Sequence, residues 1–183
     1  MTETLNKALV LHKSGNLEEA KIIYEELIKK NPNNFELLNL LGVINIQLKA
    51  FDEAISLIKK AININPNHHA LYNNLGGAYK ELEEYDEAIK YFQKAIELNP
   101  NYAEAYNNLG IIFKKQYQYE KAYNNYKKAI ELNPNYAEAY NNLGLLYADI
   151  KNYEDAIINF SSAIRLDKGY IDAYKNKIGR AHV

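Results

Sequence analysis

One interval governs this chain: 34 residues. Pro32, Pro66, Pro100 and Pro134 are separated by it, and so are Gly42, Gly76, Gly110 and Gly144. Ala20, Ala54, Ala88, Ala122 and Ala156 keep the same spacing. The stretch from Ala103 to Tyr136 returns almost unchanged from Ala137, and a looser copy begins at His69. A fixed period of this length implies an array of small units, each burying its apolar face against its neighbours, rather than one ball-shaped core.

The unit explains itself physically. In the copy that starts at Ala103, Tyr106, Leu109, Gly110 and Phe113 fall at i, i+3, i+4 and i+7, one stripe of an α-helix. Ala122, Tyr126, Ala129 and Ile130 form a second stripe at i, i+4, i+7 and i+8. Gln116 to Tyr119 leaves room for a tight turn between them. Asn133-Pro134 stops the second helix, because proline cannot continue it and disfavours helical geometry in the residue before it. Gly110 and Ala122 are expected to be small because two helix backbones approach closely there.

These residues carry a resemblance. The pattern Tyr106, Leu109-Gly110, Phe113, Ala122, Tyr126, Ala129 and Pro134 resembles the tetratricopeptide repeat. The resemblance extends from the N-terminus to about Asn176. It implies an all-α fold, a right-handed superhelical solenoid of helix-turn-helix repeats with a concave inner groove.

Counting each copy from its first residue, the repeats are expected at 1–34, 35–68, 69–102, 103–136 and 137–170, with the start of a sixth at 171–176. The first helix of repeat one is degenerate: Thr4, Lys7 and Ala8 stand where later copies have Tyr, Leu and Gly. Ser14-Gly15-Asn16 has strong turn chemistry. In repeat three, Asp86 stands four residues before Lys90, a spacing suited to an exposed ion pair. In repeat five the terminal proline is replaced by Lys168, and Gly169 is expected to stop the helix instead. The pattern fails at Lys177 and Ile178, where Leu and Gly are due. The ending Ile-Gly-Arg-Ala-His-Val can be encoded by the string of a common DNA-sequencing adapter. Residues 177–183 are therefore expected to be a non-native tail, with the natural protein continuing past Asn176.

In the family the chain resembles, the first helix of each repeat lines the groove through unit positions two, five, six, nine, twelve and thirteen. Position six holds Asn74, Asn108 and Asn142, and position five holds Asn39, Asn73, Asn107 and Asn141. An amide donates and accepts at once, so a row of them could hold a peptide backbone without reading its side chains. The row resembles the asparagine ladder in the repeat arm of O-linked N-acetylglucosamine transferases. Leu40 interrupts it in repeat two. The alternative is that asparagine at position six belongs to the general repeat pattern and only solvates or caps. Position twelve adds Lys80 and Lys114, amid mixed charges that do not match the family's carboxylate clamp.

Other functions find little support. A net charge of −1 offers no general attraction to nucleic acid or acidic membranes. Tyr72, Tyr106 and Tyr140 lie on the core stripe, so packing accounts for them better than base stacking. The absence of cysteine removes disulfides, thiolate catalysis and zinc–thiolate sites. No phosphate-binding loop or nucleophile elbow occurs, and His68-His69 lacks a partner at metal-ligand spacing. Neither a cofactor nor a metal is expected, nor catalysis in this stretch.

The expected partner is a protein or peptide, in a cytoplasmic setting, without nucleic acid or membrane. End-to-end self-association through an apolar end face is a further possibility. The other reading is the substrate-recognition arm of a truncated glycosyltransferase or sulfotransferase. The opening, His12-Lys13-Ser14-Gly15-Asn16-Leu17-Glu18-Glu19-Ala20, resembles the start of such bacterial proteins.

Overall fold

The computed structural model describes residues 2–180; Met1 and residues 181–183, part of the expected first repeat and of the expected tail, lie outside them. Among the described residues there are eleven α-helices and no strand. The chain divides after Leu98 into two compact units. The first holds α1 Thr2–Lys13, α2 Leu17–Lys30, α3 Phe35–Gln47, α4 Phe51–Ile64, α5 His69–Glu81 and α6 Tyr85–Leu98. The second holds α7 Ala103–Lys115, α8 Tyr119–Leu132, α9 Ala137–Asp149, α10 Tyr153–Leu166 and α11 Ile171–Arg180. Each unit is a stack of helical hairpins. In the first, α2 packs on α3 and α4 on α5; in the second, α8 packs on α9 and α10 on α11. The fold class is that of the all-α repeat solenoids.

The hairpin is held by a small residue facing a ring. A Cβ placed on Gly76 would stand 2.9 Å from the ring of Phe92, and one on Gly144 would stand 2.6 Å from Phe160. Gly42 faces Ile58 in the same way. The sequence suggested that the glycine lets two backbones meet. At Gly42 and Gly144 it does, the carbonyl oxygens of Ala54 and Ala156 standing 3.5 and 3.2 Å from the Cβ position, and the glycine also seats the large side chain at position 24 against the first helix. Ala20, Ala54, Ala88, Ala122 and Ala156, on the opposite helix, are completely buried.

Two turn types alternate. Inside each hairpin the first helix ends with one residue in the left-handed region: Gly15 at φ 85°, Lys49 at 62°, Glu83 at 61°, Tyr117 at 59° and Lys151 at 63°. The amide of Ala50 reaches back to the Asn45 carbonyl at 2.8 Å, and that of Lys49 to Ile46 at 3.0 Å. This double bond to the last carbonyls is the Schellman stop. Gln118 to Phe113 and Tyr117 to Lys114 repeat it.

Between hairpins, the second helix ends at Asn31, Asn65, Asn133 and Asp167, all with φ between −131° and −137°, outside the helical region. The side-chain oxygen of Asn99 accepts from the Asn101 amide, that of Asn133 from Asn135, and that of Asp167 from Gly169 at 2.8 Å. Repeat five therefore keeps its stop without proline. Asp167 supplies it through an Asx turn; Gly169 is not in the left-handed region, so it is not the stop expected of it.

Two further expectations need adjustment. Lys90 pairs with Glu87 at 3.1 Å, one turn away, and not with Asp86. Helix α11 runs through Lys177 to Arg180, past the point where the repeat pattern fails, with Ala173 buried.

Candidate functional site

The asparagines of the first helices form rungs between successive repeats. Asn74 Nδ2 donates to Asn39 Oδ1 at 2.9 Å in the first unit. In the second, Asn142 donates to Asn107 and Asn176 to Asn141, each at 3.0 Å. Every rung joins position six of one repeat to position five of the repeat before. The geometry follows from the stacking of first helices, α5 on α3, α9 on α7 and α11 on α9.

In repeats three to five the two positions differ in access. Asn73, Asn107 and Asn141 are 1–4% exposed, beneath the surface of the first helices. Asn107 also donates through Nδ2 to Glu138 Oε1 at 3.3 Å and to the Tyr136 hydroxyl at 3.4 Å. A buried amide of this kind must be bonded within the scaffold. Asn39, Asn74, Asn108 and Asn142 are half-buried and can be reached.

The lysines at position twelve are engaged locally. Lys114 Nζ lies 2.7 Å from Asp149 Oδ2, a bridge to position thirteen of the next repeat. Lys80 lies 3.4 Å from its neighbour Glu81. These pairs neutralise the face where a carboxylate clamp would keep free cations.

At the start of repeat four, Tyr102 donates to Glu104 Oε2 at 2.8 Å. Tyr136 sits one repeat further on, near Glu138. Burial first, then the carboxylates, pushes both phenols well above the usual tyrosine range. Both stay protonated donors at ordinary pH. Tyr72, Tyr106 and Tyr140 are half-buried, and Tyr72 donates to the Pro66 carbonyl at 2.9 Å, which fits a packing role with one wet end.

Sequence reasoning brought the asparagine columns together but not their pairing. The rung joins residues 35 apart, one more than the period, so it emerges only when two repeats are set side by side. Among the described residues no group of three His, Cys, Asp or Glu could hold a metal. No described helix is long and apolar enough to cross a membrane.

Tetratricopeptide-repeat profiles match residues 11–79, 76–117, 112–151 and 137–170, which together run from 11 to 170. No protein of curated function matches the chain. Among solved structures, MamA is 29% identical over 88% of this chain and 94% of its own, with a TM-score of 0.68. YrrB, described as a tetratricopeptide-repeat protein with an unusual peptide-binding site, is 25% identical over 95% of this chain and 90% of its own, with a TM-score of 0.63. TTC0263, a thermophilic protein of Thermus thermophilus, is 20% identical over 100% of this chain and 99% of its own, with a TM-score of 0.89, a likeness of fold. The 34-residue period, the glycine-on-ring hairpin and these matches agree: the chain belongs to the tetratricopeptide-repeat family.

Proposed function

We propose that the chain is a protein-interaction module that holds an extended peptide or partner segment against the first helices of its repeats. The carrying observation is the fixed orientation of the position-six amides. Asn74 and Asn142 each use Nδ2 on a rung, so each is left with an amide oxygen as acceptor for a ligand N–H. The rung pins the side chain before any ligand arrives, which lowers the ordering cost of binding. Asn108 stands at the same position one repeat before Asn142. Lys80 and Lys114, already paired with carboxylates, contribute mixed charge rather than a grip on a terminal acid. The peptide-binding site named for YrrB supports this reading by similarity.

The test starts with selection from a random peptide display library against the intact chain. An enriched peptide is then titrated against the wild type and against Asn74→Ala, Asn108→Ala and Asn142→Ala combined. A loss of about tenfold or more, with helical circular dichroism retained, is expected. Unchanged affinity overturns the asparagine site.

A further inference from the structure

Repeats two and three of the first unit are joined by two polar or aromatic contacts that bridge α3 and α5. One is the Asn39–Asn74 rung. The other lies about one helical turn closer to the N-terminal ends of the same helices. There the Phe35 ring meets His68 at 5.3 Å between centroids, and His68 stacks on His69 at 5.6 Å with the ring planes 4° apart. Phe35 precedes Asn39 by four residues and His69 precedes Asn74 by five, so stack and rung are neighbours along one helix pair.

Three features make this stack intolerant of a proton. The Nδ1 atom of His68 is buried with no hydrogen-bond partner. An imidazolium must carry an N–H on that atom, so charging the ring buries an unmatched donor. The two imidazoles are parallel neighbours, and a charge on one repels a charge on the other. Both also stand at the start of α5, His68 as its N-cap and His69 as its first residue, where the positive end of the helix dipole opposes a cation.

The surroundings offer little compensation. Every other described helix has an acid in its first turn, and α5 has none. Ala70 stands where α7 has Glu104 and α9 has Glu138. On α3, Glu36 follows Phe35 and is exposed. Residues 61–64 of α4 and the connection Asn65-Pro66-Asn67 bear no charge. On α5 the next titratable group is Tyr72, which donates to the Pro66 carbonyl. Lys94 and Glu97 of α6 share a cavity wall with Tyr72 and pair with each other at 2.8 Å. Burial first, then His68, pushes His69 below the ordinary imidazole range.

We propose that the His68–His69 stack is an acid-sensitive tie between repeats two and three: proton uptake by the pair frees the first turn of α5 from Phe35 and opens the Asn39–Asn74 rung. A folded value below the unfolded one gives stability that is complete above about pH 6.5 and is lost as pH falls through the folded value. An extended segment held at Asn74 is then released in acid, a consequence that alone rests on the peptide-binding reading.

The tie itself is tested without a ligand. The intact 15N,13C-labelled chain is followed by NMR from about pH 7.5 to about pH 5, with urea unfolding at both ends. His69 should titrate below about 6.5. The Asn74 side-chain amide and the backbone amides at the start of α5 should shift with the same midpoint, and the unfolding constant should rise several-fold across the window. The Asn142 side-chain amide, on a rung of the second unit, should stay in place. His68→Tyr with His69→Ala copies Tyr102-Ala103 and should remove the response at Asn74; if that variant does not fold, the wild-type titration decides alone. His69 titrating at or above about 6.5, an Asn74 amide that stays still or moves together with that of Asn142, or an unchanged response in the folded double variant each overturn the inference.

Discussion

Gly110 lies directly beneath the ring of Tyr126: a Cβ on the glycine would stand 2.5 Å from Cε1 and 2.6 Å from Cδ1. Such distances require the ring or the helix to move. Gly77, by contrast, has nothing within 4 Å of its Cβ position. The two glycines therefore respond oppositely to the same substitution. Gly77→Ala should stabilise the chain by about 1 kcal/mol through helix propensity. Gly110→Ala gains the same propensity but overpacks the ring at about 1–3 kcal/mol, for a net loss. Urea denaturation of both variants checks this; equal signs would refute the glycine-on-ring account.

Position 24 holds Tyr24, Ile58, Phe92, Tyr126 and Phe160, all completely buried. The hydroxyls of Tyr24 and Tyr126 have no hydrogen-bond partner. Phenylalanine already serves at the same position in repeats three and five. Tyr126→Phe should therefore raise stability by about 1 kcal/mol, and Phe160→Tyr should lower it by a similar amount. A destabilised Tyr126→Phe would mean that the hydroxyl is bonded in solution.

The left-handed residue that ends each first helix is glycine only in repeat one. Tyr117 adopts φ 59° with its side chain 79% exposed, so little packing opposes its replacement. Tyr117→Gly should stabilise by about 1 kcal/mol, the usual relief of a Cβ from this region. Gly15→Ala should cost about the same, although nothing lies within 4 Å of its Cβ position, because the strain is in the backbone. Thermal midpoints of the two variants should move in opposite directions.

Alkali should unfold the chain from within. Burial raises Tyr24; burial, then Asp149 and Glu138, raises Tyr126; burial, then Glu138 and Glu104, raises Tyr136. A folded pKa above the unfolded one stabilises the protein fully below the unfolded value. That stability is lost as pH climbs through about 10 towards the folded value. Tyr126 alone contributes a loss of up to about 1.4 kcal/mol per pH unit in that window. Tyrosinate absorbance and helical signal should change together above about pH 10. A smooth titration of all 17 tyrosines with the helices intact would contradict this.

The sequence made the helix pairs legible because their stripes are local and recur. Proline marked four of the stops, and the loss of proline at Lys168 drew attention to Gly169. The working group, Asp167, looked ordinary because an Asx turn can be formed by any well-placed Asn or Asp. Lys49, Glu83, Tyr117 and Lys151 gave no sign of a left-handed backbone singly. Set in one column with Gly15, they would have. The asparagine rungs were least accessible, since a stripe on one helix says nothing about which amide faces it from the next.

Every rung uses the same donor column and the same acceptor column. Excising 34 residues inside the second unit would bring Asn176 into the place of Asn142, opposite Asn107, with an identical partner waiting. Duplicating one repeat would add a rung that already fits. Unequal crossing-over within such a gene thus changes the length of the array without demanding a compensating mutation. Lengthening and shortening are open to this lineage as single genetic events.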